Sequence, residues 1–387
     1  MEYKLEDIFD LQMGKTPSRN NPEYWSSDDH KWISIGDLSK CGKYIKETKE
    51  YLSDKAVEES GISIIPAGTV VMSFKLSIGK TAIVPEPMYS NEAIMSFRDK
   101  HVVELLPDYI YYMFSNKDWD AGTNKAVMGK TLNKATLSKI SVRIHSIVDQ
   151  RKIVQILDRV SAVIEARQLE LEKFDDLIKA RFVEMFGDPV YNEKGWVTKS
   201  LDEICISIID CPHSTPSYTS EDTGYMCIRT SIVKRNKILW DEIEYIPEVE
   251  YKKRIKKKKP EKGDVIYTRE GAILGIAAVI DRDCNVALGQ RSMLLSPDGN
   301  YCTPEFLSVA MNFESFLASA LKGMSGSASP HINVGDIKAF KMILPPIDKQ
   351  EQFTAFITQV DKSKVVVQKA LYEAQLLFDS LMQQYFG

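Results

Sequence analysis

The chain has 387 residues, more than one compact hydrophobic core usually supports, so at least two domains are expected. Its 50 Lys and Arg against 54 Asp and Glu give a net charge of −4, which excludes a generally basic nucleic-acid coat but not a local basic site. No apolar run reaches the roughly 18 residues of a membrane span, no signal peptide is predicted, and six cysteines without a CxxC pair favour a reducing cytoplasm over structural zinc or disulfides.

Residues 1–145 predict a globular α+β domain with a twisted sheet. Short runs of β-type residues at 32–35, 69–72 and 81–84 are separated by Gly, Pro and Asn turns, and a helical run follows near 108–114. Basic and hydroxyl side chains gather in the loops, where they suit contacts to nucleic acid. The candidate binding residues are Lys15, Thr16, Ser18, Arg19, Lys75, Lys80, Lys125 and Lys130.

Residues 146–195 predict one long helix. Its apolar residues recur at steps of four and three, which is the spacing of a coiled-coil seam. From Asp149 to Phe186 the helix would extend roughly 57 Å at about 1.5 Å per residue, and a helix of that length with one apolar stripe needs a partner. The predicted seam residues are Ile153, Leu157, Val160, Ile164, Leu171, Phe174 and Ile178.

The second half of the chain repeats the first at an offset of 200 residues. Gln150 matches Gln350, and ordered matches continue from there to the end of the chain. A period of this size indicates a duplicated domain rather than a solenoid. Residues 196–345 therefore predict a second α+β domain, and 346–387 a second long helix packed antiparallel against the first. The seam residues of this helix are Phe353, Ile357, Val360, Val367, Leu371 and Phe378.

The loops of the second domain are also rich in cations. Seven of the nine residues at 251–259 are Lys or Arg, which suits phosphate contacts, although a merely solvated loop explains this run equally well. Arg, Gln and Ser side chains at the other loop tips suit hydrogen bonds to base edges. The candidate residues are Arg229, Lys256, Lys257, Lys258, Lys259, Arg269, Gln290, Arg291 and Ser327.

The sequence contains no constellation that predicts catalysis or metal binding. Three GKT tripeptides at 14–16, 79–81 and 129–131 lack the earlier glycine of a phosphate-binding loop, and the five histidines are scattered. The stretch from Asp210 to His213 places an acid, a thiol and an imidazole close together, but a turn is the simpler interpretation. We therefore predict no catalytic residue, no metal site and no cofactor bound by this chain.

The order and duplication of several sequence segments resemble those of the specificity (S) subunit of type I restriction-modification enzymes, over essentially the whole chain. The matching segments are 9–18 with 32–38, the sheet segment 68–84 and its copy 263–280, and the helix boundaries at 149–153, 181–189 and 344–350. The resemblance implies two α+β target recognition domains separated by two long antiparallel helices, which form a coiled coil within an internal pseudo-two-fold duplication.

For function, the resemblance implies a sequence-specific DNA-binding subunit without catalytic activity of its own. Each globular domain would read one half of a bipartite, asymmetric site in double-stranded DNA, and the helices would fix the gap between the halves. Two modification (M) subunits carrying S-adenosylmethionine, and restriction (R) subunits using ATP and Mg, would supply the adenine methyltransferase and endonuclease activities of a cytoplasmic complex.

Two other functions fit part of the sequence. A coiled-coil scaffold that binds only protein explains the long helices but not the cation-rich loops. A self-contained DNA methyltransferase with its own recognition domain explains those loops, but the glycine-rich cofactor loop that it needs is missing.

Overall fold

The computed structural model describes residues 1–75, 77–119, 132–271, 273–322 and 331–387. The chain divides into two compact units: the first combines Met1–Gln168 with Lys369–Gly387, and the second is Leu169–Gln368. Each unit contains one globular domain and part of both long helices. The segment boundaries that the sequence suggested, at 145/146, 195/196 and 345/346, stay predictions.

The globular part of the first unit consists of short strands and helices. Its strands are β1 (Glu2–Lys4), β2 (Phe9–Met13), β3 (His30–Ile33), β4 (Glu50–Leu52), β5 (Val70–Ser73), β6 (Thr81–Ile83), β7 (Tyr89–Ser90), β8 (Ile94–Asp99) and β9 (Ser141–Arg143). Its helices are α1 (Leu5–Ile8), α2 (Ile35–Leu38), α3 (Asp54–Ser60), α4 (Pro107–Asn116) and α5 (Lys134–Ser138), and a 3-10 turn covers Pro22–Tyr24. The first long helix, α6 (Ile147–Phe186), follows.

The main sheet of the first unit is antiparallel, with the strand order β2-β8-β5-β6. Its central strand β5 is buried along its whole length. Val70 and Met72 face a hydrophobic cluster formed with α4 and the start of α6, whereas Val71 faces a second cluster on the other side, as alternation along a strand requires. The described strands also form a mixed sheet, β4-β3-β7, and an antiparallel pair, β1-β9.

The second unit is built from the following elements. Its strands are β10 (Val197–Ser200), β11 (Cys205–Asp210), β12 (Met226–Ile228), β13 (Val233–Lys234), β14 (Lys237–Ile238), β15 (Glu244–Tyr245), β16 (Val265–Thr268), β17 (Ala277–Val279), β18 (Val286–Leu288), β19 (Ser292–Pro297) and β20 (Lys341–Leu344). Its helices are α7 (Leu201–Ile204), α8 (Glu248–Arg254), α9 (Pro304–Met311), α10 (Glu314–Leu321) and α11 (Val334–Ala339), with 3-10 turns at Thr230–Ile232 and Trp240–Glu242. The second long helix, α12 (Ile347–Phe386), ends the chain.

The second unit repeats the strand order of the first. Its main sheet is β11-β19-β16-β17, beside a mixed sheet β15-β12-β18 and a pair β10-β20; β13 and β14 form an additional hairpin. Gly79 and Gly275 occupy the same place between the third and fourth strands of their sheets, with φ of 88° and 75°, a backbone region that favours glycine. The predicted duplication is therefore confirmed in strand order and in turn geometry.

The two long helices pack antiparallel within each unit. In the first unit, Ile153 and Leu157 near the start of α6 share a hydrophobic cluster with Met382 near the end of α12. In the second unit, Phe182 at the end of α6 lies 5.5 Å from Phe353 near the start of α12, measured between ring centroids. The predicted fold class, α+β with an internal duplication and paired long helices, is confirmed.

The thirteen seam residues predicted on the two helices are all withdrawn from solvent: six are buried and seven are half-buried. Full burial of a large apolar side chain is worth roughly 1.5–3 kcal/mol, so the seam contributes substantially to stability. The heptad pattern did not include Phe182 and Phe186, which are both completely buried. They mark the place where the second domain packs onto the end of α6.

Two helices, α9 and α10, follow one another after β19. They are separated at Asn312, whose side-chain carbonyl accepts from Ala277 N at 2.9 Å and whose amide donates to Ala277 O at 2.8 Å. This side chain completes the edge of β17 and ends α9 there. Within the described ranges, no helix has both the length and the apolar composition that a bilayer crossing requires.

Candidate nucleic-acid interface

Loop A, residues 14–19, follows the first strand of the main sheet in the first unit. Gly14 N donates to Ile94 O at 3.1 Å, and Lys15 N donates to Ser90 O at 2.8 Å. A Cβ on Gly14 would lie 2.1 Å from Ser90 O, so only glycine fits at this position. The start of loop A is therefore held closely against β7 and β8.

Two tryptophans hold the rest of loop A. Trp32 Nε1 donates to Lys15 O at 3.1 Å, and Trp25 Nε1 donates to Ser18 O at 3.2 Å. The two indole rings meet edge to face, with centroids 5.0 Å apart and an angle of 84° between their planes. Because both indole N–H groups bond to main-chain carbonyls of loop A, the two rings and the loop form one rigid assembly.

Arg19, the last residue of loop A, lies on these rings. Its guanidinium carbon is 3.7 Å from the ring centroid of Trp25 and 5.0 Å from that of Trp32. Nη2 donates to Glu50 Oε2 at 3.0 Å, and Nη1 donates to the other oxygen of the same carboxylate. The side chain nevertheless remains 48% exposed. Arg19 is thus fixed in position while its outer edge stays open to solvent.

A carboxylate lies among the basic candidates of the first unit. Thr16 Oγ1 donates to Glu92 Oε2, and this hydrogen bond lowers the pKa of the Glu92 carboxyl against the opposing effect of burial. Lys75 and Arg19 lower the same pKa through their charges. Three of the predicted residues therefore surround one ionised glutamate, so this part of the surface is not simply basic.

The remaining candidates of the first unit are at or near the surface. Lys15, Ser18 and Lys80 are exposed, and Lys15 Nζ donates to Ser60 O. Lys80 N donates to Ser73 Oγ at 3.1 Å, which fixes its main chain and leaves the ammonium group outside. Lys125 and Lys130 lie outside the described residues.

Loop B, residues 211–217, is the counterpart of loop A in the second unit. Gln290 Nε2 donates to His213 O at 2.6 Å, and Arg254 Nη2 donates to Ser214 O at 2.6 Å. Side-chain donors therefore hold the carbonyls of this loop as well, but they are an amide and a guanidinium instead of two indoles. Gln290, predicted to contact DNA, is engaged in this support through its amide nitrogen.

Next to loop B, a chain of ion-pairing and hydrogen-bonding side chains leads from the interior to the surface. Arg269, whose side chain is only 6% exposed, pairs with Asp210 (Nε to Oδ1, 3.0 Å) and with Glu270 (Nη1 to Oε1, 2.8 Å). Asp210 Oδ2 lies 3.0 Å from Nε2 of His213, whose side chain is 68% exposed. Asp210 therefore links the buried Arg269 to His213, and His213 is the member of this chain that is exposed to solvent.

The lysine run of the second unit contains residues in two different settings. Lys256 and Lys257 are exposed. Lys258 turns inward, with Nζ 2.6 Å from Asp264 Oδ2, and that carboxylate is almost buried. Lys259 is exposed and its Nζ donates to Asn285 Oδ1 at 3.3 Å. Only part of the predicted phosphate-binding run therefore presents free charge to a ligand.

The last candidates lie apart from the lysine run. Arg229 is half-exposed and pairs with Glu244 at 3.0 Å. Arg291 is exposed and has a φ of 65°, an unusual value for arginine, while its carbonyl accepts from Arg269 N at 2.9 Å. Ser327 lies outside the described residues.

The prediction missed Trp25, Trp32 and Glu50 in the first unit, and His213 in the second. A usable signal was present for the tryptophans, because two large aromatic residues fall within eight positions of each other just after a basic loop. In the described parts of the chain, no group of three or more His, Cys, Asp or Glu side chains is placed to hold a metal ion.

Sequence comparison gives a consistent result over nearly the whole chain. A profile of the type I restriction modification DNA specificity domain matches residues 1–173 and again residues 193–374. The specificity subunit of the type I restriction enzyme MjaIX from Methanocaldococcus jannaschii is 25% identical, over 98% of this chain and 90% of its own length. The EcoprrI specificity subunit from Escherichia coli is 21% identical, over 92% of this chain and 86% of its own length.

Solved structures show the same fold. The S subunit of a type I restriction-modification system from M. genitalium has a TM-score of 0.53 at 12% identity, over 100% of this chain and 96% of that one. A second solved chain comes from a study of complex assembly and conformational transition of the type I R-M system. It has a TM-score of 0.58 at 17% identity, over 100% of this chain and 97% of that one. At these identities the similarity concerns the fold.

Proposed function

The chain belongs to the family of type I restriction-modification DNA specificity subunits, and from this we propose that its two domains read the two halves of one bipartite DNA site. The observation that carries the proposal is the repeated main sheet with a supported loop after its first strand. Loop A presents Arg19 and loop B presents His213. Because the two loops offer different donors, the two half-sites should differ, which makes the whole site asymmetric.

We assign the contacts within each domain by the chemistry of the exposed groups. Arginine, histidine and hydroxyl groups on rigid loops suit hydrogen bonds to base edges in the major groove. Exposed lysines such as Lys256 and Lys257 suit phosphates, which position the protein without reading sequence. Sequence choice is therefore expected from the loops, and much of the salt-dependent affinity from the lysines.

The outward faces of the long helices suit protein partners. Beyond the seam, these helices expose a set of large apolar side chains, which would be unfavourable in water without a partner. They are Val148, Ile156, Val163, Leu169, Leu177 and Val183 on α6, and Val365, Val366, Tyr372, Leu376 and Leu377 on α12. We propose that two modification subunits bind along the helices, that restriction subunits join this complex, and that S-adenosylmethionine, ATP and Mg bind to those partners.

A domain exchange tests the central claim. Residues 196–345 are replaced by the recognition domain of another family member, and the modified sites in the host genome are mapped. We expect one half-site to change while the other half-site and the presence of a spacer are retained. The reciprocal exchange of 1–145 should change only the other half-site. Simultaneous change of both half-sites in either exchange would refute independent reading.

A further inference from the structure

We propose that Arg19 reads one guanine in the half-site of the first domain, and that Glu50 and Trp25 are positioning residues for it. The inference rests on the proposed function, since it assumes that the first domain approaches DNA through loop A. It concerns base recognition, which the geometry of Arg19 supports better than a phosphate contact.

The donor count of Arg19 matches a guanine. A guanidinium group carries five N–H donors in one plane, and the bidentate pair with Glu50 uses two of them. Guanine presents two acceptors, O6 and N7, in the major groove, and a bidentate arginine is their commonest partner. Three donors remain on Arg19, which is enough for both acceptors while Glu50 stays bound.

The contact with Trp25 leaves those donors free. The ring lies against the face of the guanidinium, 3.7 Å from its carbon, whereas the N–H groups point outward in the plane. The indole is itself held through Ser18 O, and the side chain of Arg19 keeps 48% of its surface exposed. Arg19 is therefore oriented before DNA arrives, so little of its conformational freedom remains to be lost on binding.

The local charge argues against a phosphate contact. Arg19 is neutralised by Glu50, and the ionised Glu92 lies close by. Because Lys75 also lies near Glu92, the two carboxylates balance two cations and leave little net positive charge to attract a phosphate. The remaining N–H groups of Arg19 can still donate hydrogen bonds to neutral base atoms. An arginine in this setting adds sequence preference with little salt-dependent affinity.

The test uses the full chain assembled with its modification subunits and a DNA library randomised across the wild-type site. Two variants are compared with the wild type. Arg19→Lys keeps the charge but cannot form the planar bidentate contact. The double variant Arg19→Gln with Glu50→Gln removes the pair without changing the net charge.

In the wild type we expect one G·C position of the first half-site to be preferred by about 10- to 100-fold. In both variants this preference should collapse towards equal binding of all four bases, while the other positions and the second half-site keep theirs. The slope of affinity against salt should stay the same in the double variant. Preserved reading of the second half-site shows that the variants are folded and assembled.

Three results would overturn the inference. First, the base preference at every position could survive in both variants. Second, the preference could weaken equally at all positions of the first half-site, and this second result would mean that Arg19 only supports the loop. A lower salt slope in the double variant with unchanged sequence preference would assign the pair to phosphate binding. A wild-type complex that selected no sequence would instead overturn the proposed function itself.

Discussion

Gln150 and Gln350 make the same three hydrogen bonds at equivalent positions of α6 and α12, and both are 0% exposed. In each case the side-chain carbonyl accepts from one main-chain N–H, and the amide donates to two main-chain carbonyls. The partners are Leu106 N, Glu104 O and His145 O for Gln150, and Thr303 N, Tyr301 O and Pro345 O for Gln350. Each glutamine therefore joins the start of a long helix to the start of α4 or α9.

Removing either glutamine side chain should destabilise the unit that contains it. Gln150→Ala or Gln350→Ala leaves partly or fully buried main-chain groups unpaired, at up to about 1–3 kcal/mol for a fully buried group. Urea unfolding should show the loss, and hydrogen exchange should place it in the first unit for Gln150 and in the second for Gln350. The matched control is Gln155→Ala on the exposed face of α6, which should change stability by less than about 0.5 kcal/mol.

Among the lysines at 256–258, we expect Lys256 and Lys257 to contact DNA phosphates and Lys258 to stabilise the fold. Changing Lys256 and Lys257 to Ala should weaken binding similarly on all DNA sequences and reduce the salt slope by up to about 0.9 for each phosphate that the protein no longer neutralises. Lys258→Ala should instead lower stability by about 1–3 kcal/mol, because Asp264 loses its ion pair. Affinity measured over a salt series and urea unfolding distinguish the two effects. An altered recognition sequence in the double lysine variant would contradict the assignment.

Arg269 and Arg291 should also behave differently although both were predicted to bind DNA. Arg269→Ala leaves Asp210 and Glu270 without their buried cation and should cost about 3–5 kcal/mol of stability. Arg291→Ala at its exposed position should cost little stability and act on DNA binding alone. Thermal unfolding and DNA binding by the complex measure both quantities. Equal destabilisation by the two variants would show that Arg291 is structural.

A fragment ending at Asp188 should form a symmetric dimer. It keeps α6 but loses α12, so Ile153 and Leu157 are left without the neighbouring Met382. The residue 200 positions before Met382 is Phe182, so a second copy of α6 can offer an apolar group at that place. Each large apolar side chain that becomes buried when two fragments pair stabilises the dimer by roughly 1.5–3 kcal/mol.

Sedimentation measures the size of the fragment, and methylation mapping with modification subunits identifies its site. We expect a dimer that marks a palindrome made from the first half-site twice. Leu157→Asp in the fragment is the control, because a charge in the seam should prevent pairing. A stable monomer, or a dimer that marks the original asymmetric site, would count against the exchangeability of the two helices.

The structural features that could be predicted from the sequence are those whose residues repeat at a regular spacing along the chain. A heptad-like spacing identifies a long helix and its seam, and an offset of 200 residues identifies a duplication, because both patterns are visible along the chain. The order β2-β8-β5-β6 could not be predicted in this way. Its neighbours are distant in sequence, and their pairing depends on apolar faces that only the folded sheet brings together.

The candidate interface was predicted less completely, for a physical reason. Counting cations locates the exposed loops but does not reveal which charges are already paired. Arg269 is paired with Asp210, which is 59 positions earlier in the chain. Conversely, Glu50 is an ordinary surface acid in the sequence and gains significance only because the fold brings it to Arg19.

The division of each long helix between the two units has a consequence for biosynthesis. The first unit needs Lys369–Gly387, so it cannot be completed until the ribosome has made these residues. At about 5–20 residues per second, translation after Gln168 takes roughly 10 to 40 s. During that interval the incomplete first unit presents Ile153 and Leu157 without Met382, their later neighbour. Early stop codons should therefore damage the beginning of the protein as well as its end, and chaperones or partner subunits have a defined period in which to protect it.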